Sequence, residues 1–198
     1  VVNIVQPGQQ PTAARLNAGF MVGMLLFRAT RDTAQNVTSG NNPLGANALA
    51  WETIEVDDLG GWASATPTRY TCRLAGWYEL SGDVGFESST AGTVRGVGWF
   101  LNGSLMQAGH GTRVTATPTA IATVVAARTV NLPLNPGDYV ELIPVQNAGA
   151  NLATTTGGGR PSMNVTYKRP LTTPGGTVLA APTAAGRPLT ADTQKQLG

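Results

Sequence analysis

The clearest periodicity lies in Tyr78-Glu79-Leu80-Ser81-Gly82-Asp83-Val84-Gly85-Phe86, where even positions are apolar or Gly and odd ones polar or Gly. A period of two sets one face of a strand on a core and the other in water. Val94 to Leu101 follows as a second strand and ends at Asn102-Gly103, the strongest short hairpin signal. Arg128-Thr129-Val130-Asn131-Leu132-Pro133-Leu134 alternates again and runs into Asn135-Pro136-Gly137-Asp138, a turn by composition. Tyr139 to Val145 is strand-like, and Ser162-Met163-Asn164-Val165-Thr166-Tyr167 gives a last alternation. Short strands, Gly/Pro/Asn turns and no long amphipathic helix predict an all-β, antiparallel fold, a sandwich or jelly roll. Tyr78, Leu80, Val84 and Phe86 share one face, which is either the sandwich core or the axis of an oligomer.

The ends of the chain read differently and divide it into residues 1–21, 22–169 and 170–198. In the first, Pro7-Gly8-Gln9-Gln10-Pro11 precedes Thr12, an N-cap for a short helix over Ala13-Ala14-Arg15-Leu16-Asn17-Ala18. A helix this short needs a surface to pack on. The last zone is a Pro-, Gly-, Thr- and Ala-rich tail in which Arg169-Pro170-Leu171-Thr172 is echoed by Arg187-Pro188-Leu189-Thr190. Either the echo is chance or both segments dock on similar features. The most apolar run, Ala18 to Phe27, closes at Arg28 after ten residues, against about twenty needed to cross a bilayer. No membrane insertion is expected, and Val1-Val2-Asn3-Ile4 shows no signal-peptide pattern.

Composition sharpens this picture. Of 198 residues only 12% are charged, with 25 Gly, 13 Pro and Lys only at Lys168 and Lys195. That excludes a helical bundle and a highly charged disordered chain. A formal net charge of +2 gives no basic field of the kind nucleic acid requires. Cys72 is the single cysteine, so it forms no intrachain disulfide and reads as a small buried hydrophobe.

Candidate chemistry is sparse. His110 is the only histidine, has no Gly-x-Ser-x-Gly elbow to serve and no imidazole partner for a metal. It reads as a loop residue. Glu52, Glu55, Asp57 and Asp58 form a solvated acidic loop rather than a calcium motif or a separated carboxylate pair. Gly157-Gly158-Gly159-Arg160 lacks the Lys-Ser/Thr of a phosphate loop and reads as a strand connection. Asn36, Asn102 and Asn164 open glycosylation sequons, without meaning in a bacterial cell. No enzyme, cofactor or metal is expected. Trp77 and Trp99 lie within strands and read as core or interface packing, whereas Trp62, in a Gly-rich loop, is the tryptophan to test for a ligand such as a sugar.

Two resemblances extend the reading. From Trp51 to Val145 the pattern resembles the trimeric jelly roll of the tumour-necrosis-factor and complement-globular-head superfamily. The stretches that carry it are Tyr70-Thr71-Cys72-Arg73-Leu74-Ala75-Gly76-Trp77-Tyr78-Glu79-Leu80, the Asn102-Gly103 hairpin, and Val130 to Val140 through its Gly137-Asp138 turn. Pro11-Thr12-Ala13-Ala14-Arg15-Leu16-Asn17, with Asp57-Asp58-Leu59-Gly60-Gly61-Trp62 and Pro67-Thr68-Arg69-Tyr70, resembles small virion proteins of actinobacterial tailed phages, often labelled minor tail proteins. These resemblances imply a homotrimeric jelly-roll knob, made in the bacterial cytoplasm and placed on the virion at tail or capsid. Its expected partners are its own copies, the major capsid or tail proteins and a host cell-surface glycan.

On that reading Pro7, Pro11, Arg15, Leu16, Arg169, Pro170, Leu171, Arg187, Pro188 and Leu189 belong to the anchoring arms. Trp77, Tyr78, Leu80, Phe86, Trp99 and Tyr139 supply trimer or core packing, and Trp62 a ligand contact.

Overall fold

The alternating segments become strands that pair only with antiparallel neighbours. A computed structural model describes residues 21–106, 111–116 and 121–171. In chain order the strands are β1 (Leu25–Thr30), β2 (Asn36–Val37), β3 (Thr53–Asp57), β4 (Arg69–Thr71), β5 (Gly76–Phe86), β6 (Val94–Leu101) and β7 (Ser104–Leu105). They continue as β8 (Gly111–Thr115), β9 (Thr123–Ala126), β10 (Val130–Leu134), β11 (Tyr139–Gln146), β12 (Leu152–Ala153) and β13 (Ser162–Pro170). Two 3-10 turns, Gly45–Asn47 and Gly157–Gly159, are the only helical segments among the described residues.

One sheet has the order β10-β5-β13-β1-β3, with β9 continuing β10 along the same edge of β5; the other has the order β4-β11-β6-β7, with β8 beside β7 on β6. The pairs nest. β1 meets β13, β4 meets β11, β5 meets β9 and β10, and β6 meets β7 and β8. With β2 and β12 paired in a separate two-stranded sheet, this is one long hairpin rolled into two main sheets, which defines a jelly roll. At its innermost bend Asn102 (φ 51°) and Gly103 (φ 75°) both take left-handed backbone, the geometry that a two-residue hairpin turn demands.

The space between the sheets is filled by Phe27, Tyr78, Leu80, Val84, Phe86, Leu132, Met163, Val165 and Tyr167 from one side and Tyr70, Val97, Trp99, Val140 and Leu142 from the other. The shared face of β5 therefore lies in the sandwich core. Trp99 is fully buried and its Nε1 donates to the Arg128 carbonyl at 2.8 Å, joining the sheets. That carbonyl lies in a bulge: Ala126 pairs Asp83 and Val130 pairs Leu80, so three residues, 127–129, face two, 81 and 82. Outside the β4-β11-β6 sheet, Phe100, Ile143 and Leu105 are roofed by Ala48 and the turn at Gly45–Asn47.

Both terminal zones join the sandwich at one pole. Gly23 N–H donates to the Tyr167 carbonyl at 2.7 Å, and Tyr167 N–H to that of Met24 at 3.0 Å. The last strand runs to Pro170, and Leu171 is buried. Arg169, Pro170 and Leu171, placed above with the arms, are thus part of the sandwich. Pro7, Pro11, Arg15, Leu16, Arg187, Pro188 and Leu189, and the helix expected after Thr12, lie outside the described residues.

Candidate functional site

Side-chain parity sorts the aromatic residues. Tyr78, Leu80, Phe86 and Trp99 are fully buried in the core. Trp77 and Tyr139, grouped with them in the sequence reading, point the other way, because neighbours in a strand face opposite sides. Trp77 is half-buried outside β5 with the Arg169 guanidinium 4.8 Å from its ring centre. Tyr139 is half-buried outside β11 with Arg69 4.0 Å from its own.

Trp62 follows β3 in a loop that begins where the Asp58 N–H donates to the Leu26 carbonyl. The Asp57 carboxylate shapes its loop, accepting the N–H of Gly61 at 2.7 Å and of Trp62 at 3.1 Å. Gly61 fits only without a side chain, since a Cβ would stand 2.2 Å from the Tyr70 ring. The indole is packed against the core and its Nε1 donates to the Pro67 carbonyl at 3.1 Å. The hydrogen-bonding edge of Trp62 is therefore already used within the loop.

The four acidic residues do not converge. Glu52 accepts from the backbone of Asp32 and Thr33 at 2.9 and 2.8 Å and pairs with Arg31 at 3.3 Å. Glu55 pairs with Arg28 at 2.9 Å, while Asp57 serves the Trp62 loop. Among the described residues no group of three His, Cys, Asp or Glu is placed to hold a metal ion. His110 lies outside the described residues. Burial pushes the Cys72 thiol up and its Sγ donates to the Leu74 carbonyl at 3.0 Å, which favours the unreactive thiol. Burial likewise raises Tyr167 to about 12 and holds Tyr70 and Tyr78 well above the usual phenol range.

A concavity forms at the other end of the β5-β13-β1 sheet, away from the chain ends. Thr30 pairs with Ser162, and Ser162 with Asp83, so the three make one transverse row across β1, β13 and β5. Two residues along, Arg28, Asn164 and Ser81 make the next row. In β3 the register skips Glu55, since Arg28 pairs with Val56 and Ala29 with Ile54. A bulge of this kind re-aims a side chain, and Glu55 meets Arg28 across it. The turn at Gly157 and Gly158, followed by Arg160, raises the wall of the groove, which has a volume of about 430 Å³. Arg160 is held by Asp32 at 3.0 Å, and Asp83 Oδ1 accepts both the Ser162 N–H at 2.9 Å and its hydroxyl at 2.8 Å. Sequence reasoning singled out the glycine turn but not Arg28, Thr30, Asp83 or Ser162. Only strand register brings these together, and no local motif announces it.

In fold the chain is similar to the globular domain of zebrafish complement 1qA protein, at 14% identity and a TM-score of 0.45, over 71% of this chain and 94% of that one. It is also similar to Eiger TNF from S. frugiperda, at 9% identity and a TM-score of 0.45, over 71% of this chain and 90% of that one. No protein-family model matches the chain, and no curated protein matches it.

Proposed function

We propose that this protein is a non-enzymatic structural component of a tailed-phage particle, a jelly-roll knob that trimerises and is fastened to the virion through its terminal segments. The observation that carries the reading is the placement of the chain ends. Met21 and Leu171 meet the sandwich at one pole, on the adjacent strands β1 and β13. Residues 1–20 and 172–198 are therefore joined to the sandwich at one place and can engage one neighbour. Segments that order on binding cover large surfaces, at an entropic cost that lowers affinity per unit area. Three copies offset that cost by avidity. The low charge of the chain suits dense packing of identical copies, and the resemblance of Pro11 to Asn17 to phage virion leaders supplies the biological setting.

Light scattering of the full chain at micromolar concentration tests the assembly, with a trimer expected and a clean monomer counting against it. Deleting residues 1–20 or 172–198 tests attachment, since both deletions should abolish incorporation into particles while the sandwich still folds. Copy number then separates the sites: a few to a few dozen per particle means a tail component, and hundreds mean capsid decoration.

A further inference from the structure

We propose that the groove floored by Thr30, Ser162 and Asp83 and flanked by Arg28, Glu55, Gly157, Gly158 and Arg160 binds a neutral carbohydrate through its hydroxyl groups.

Size comes first. About 430 Å³ is within the range of small-ligand sites, which runs from about 300 to 1,000 Å³, and admits one or two sugar rings. Charge comes next. The two guanidinium groups, Arg28 and Arg160, are each already paired with a carboxylate, Glu55 at 2.9 Å and Asp32 at 3.0 Å, and Asp83 adds a third carboxylate. Two guanidiniums against three carboxylates leave one net negative charge, which disfavours an anion, and the remaining carboxylate, Asp83, is already engaged by Ser162. A ligand with many hydroxyls gains from both, donating to carboxylate oxygens and accepting from guanidinium N–H groups.

The site is also held in place beforehand. Asp83 Oδ1 is occupied by the Ser162 N–H and hydroxyl, which fixes the orientation of the carboxylate. Arg160 is tied to Asp32, which in turn accepts from the Thr30 hydroxyl at 3.1 Å. A Cβ at Gly157 or Gly158 would have no atom within 4 Å, so bare peptide groups line this wall and a ligand approaches them closely. Among the described residues no aromatic side chain lines the groove. Affinity per copy is therefore weak and the useful binding multivalent. Binding itself depends on one protomer's groove and not on attachment, and only its multivalency rests on the trimer of the virion reading.

The test is a titration of the isotope-labelled full chain with methyl glycosides and linear trisaccharides of neutral hexoses, followed by amide NMR. Glucuronic acid and glucosamine serve as charged comparators. Saturable shifts at Gly157, Gly158 and Ser162 are expected, with affinity unchanged between low and high salt. Gly158→Leu adds a side chain into open space and should abolish the shifts without lowering the melting temperature. Arg160→Ala should weaken binding about tenfold, the worth of one charge-assisted hydrogen bond. The proposal is overturned if no neutral sugar shifts these amides, if Gly158→Leu binds like the parent, or if shifts cluster around Trp62. It is also overturned if only a charged comparator binds, with affinity falling steeply in salt. Particle incorporation of Gly158→Leu should be normal, so failure here leaves the virion reading intact.

Discussion

Replacing Trp99 by Phe tests what joins the two sheets. Trp99 is fully buried, and its Nε1 donates at 2.8 Å to the Arg128 carbonyl, which the bulge at 127–129 takes out of the β5 ladder. Phe keeps an aromatic ring but removes roughly 40 Å² of buried apolar surface, about 1 kcal/mol at 25 cal/mol per Å². The hydrogen bond contributes about 1 kcal/mol, and the carbonyl left without it costs on the order of 1 kcal/mol more. The substitution should destabilise by about 3 kcal/mol, lowering the melting temperature by roughly 6–12 °C for a domain of this size. Urea denaturation at fixed protein concentration measures it, with the m-value expected to stay constant. Hydrogen exchange adds a local reading: amides near 127–130 should lose protection first. Trp77→Phe is the control, since Trp77 is half-buried under Arg169 and should lose less than about 1 kcal/mol. A loss below about 1 kcal/mol at Trp99, or equal losses at both tryptophans, would falsify the assignment of Trp99 as the inter-sheet tie.

Three further outcomes follow from the geometry. Gly85→Ala would set a Cβ 2.0 Å from Thr155 Oγ1 and 2.1 Å from the Gly159 carbonyl. It should cost about 3 kcal/mol or prevent folding, visible as a lowered urea midpoint. Gly103→Ala forces a side chain onto φ 75° and should cost about 1–2 kcal/mol; a neutral result would mean that the turn has changed type. Acid should weaken the β1–β3 end. The Thr53 hydroxyl bonded to the Asp32 carboxylate holds it below its usual range, and at Glu52 the Thr33 and Asp32 donors outweigh partial burial and do the same. A carboxyl whose folded-state pKa is depressed stabilises above its unfolded-state value, and the benefit is lost as pH falls through the folded one. Stability should therefore decline below about pH 4, and Glu52→Gln should flatten the decline in a pH series of melting curves.

Sequence parity located β5, β6, β10, β11 and β13, because each shows alternation or ends at a turn with a mechanism. It missed β1, β3 and β4 as separate strands. In β1 the register shifts between Leu25 and Phe27, and in β3 Glu55 is the extra residue facing Arg28 and Ala29; such bulges scramble a period of two. Trp77 shows what was legible but passed over. If Tyr78 faces the core, its neighbour faces away, and the polar odd positions of the same stretch already say so. Of the groove only the glycine turn and Glu55 were singled out in the sequence, and nothing there joined them. Its lining comes from residues 28, 30, 55, 83, 157, 158, 160 and 162, and the register of four strands and one turn decides that they meet.

The nested pairing of strands also dictates an order of assembly. β6 and β7 meet across two residues, β5 and β10 across 43 residues (87–129), and β1 and β13 across 131 residues (31–161). Loop closure is least costly for the shortest span, and each pair formed shortens the path for the next. The roll should therefore zip outward from Asn102-Gly103, slowly as folds rich in non-local pairing do. Substitutions in that turn should retard folding, while those along β1 and β13 should hasten unfolding. The last seam to close is then the one beside the chain ends. A partner holding both ends would grip the knob beside its last-closed seam and, by clamping it, lengthen the life of the whole fold.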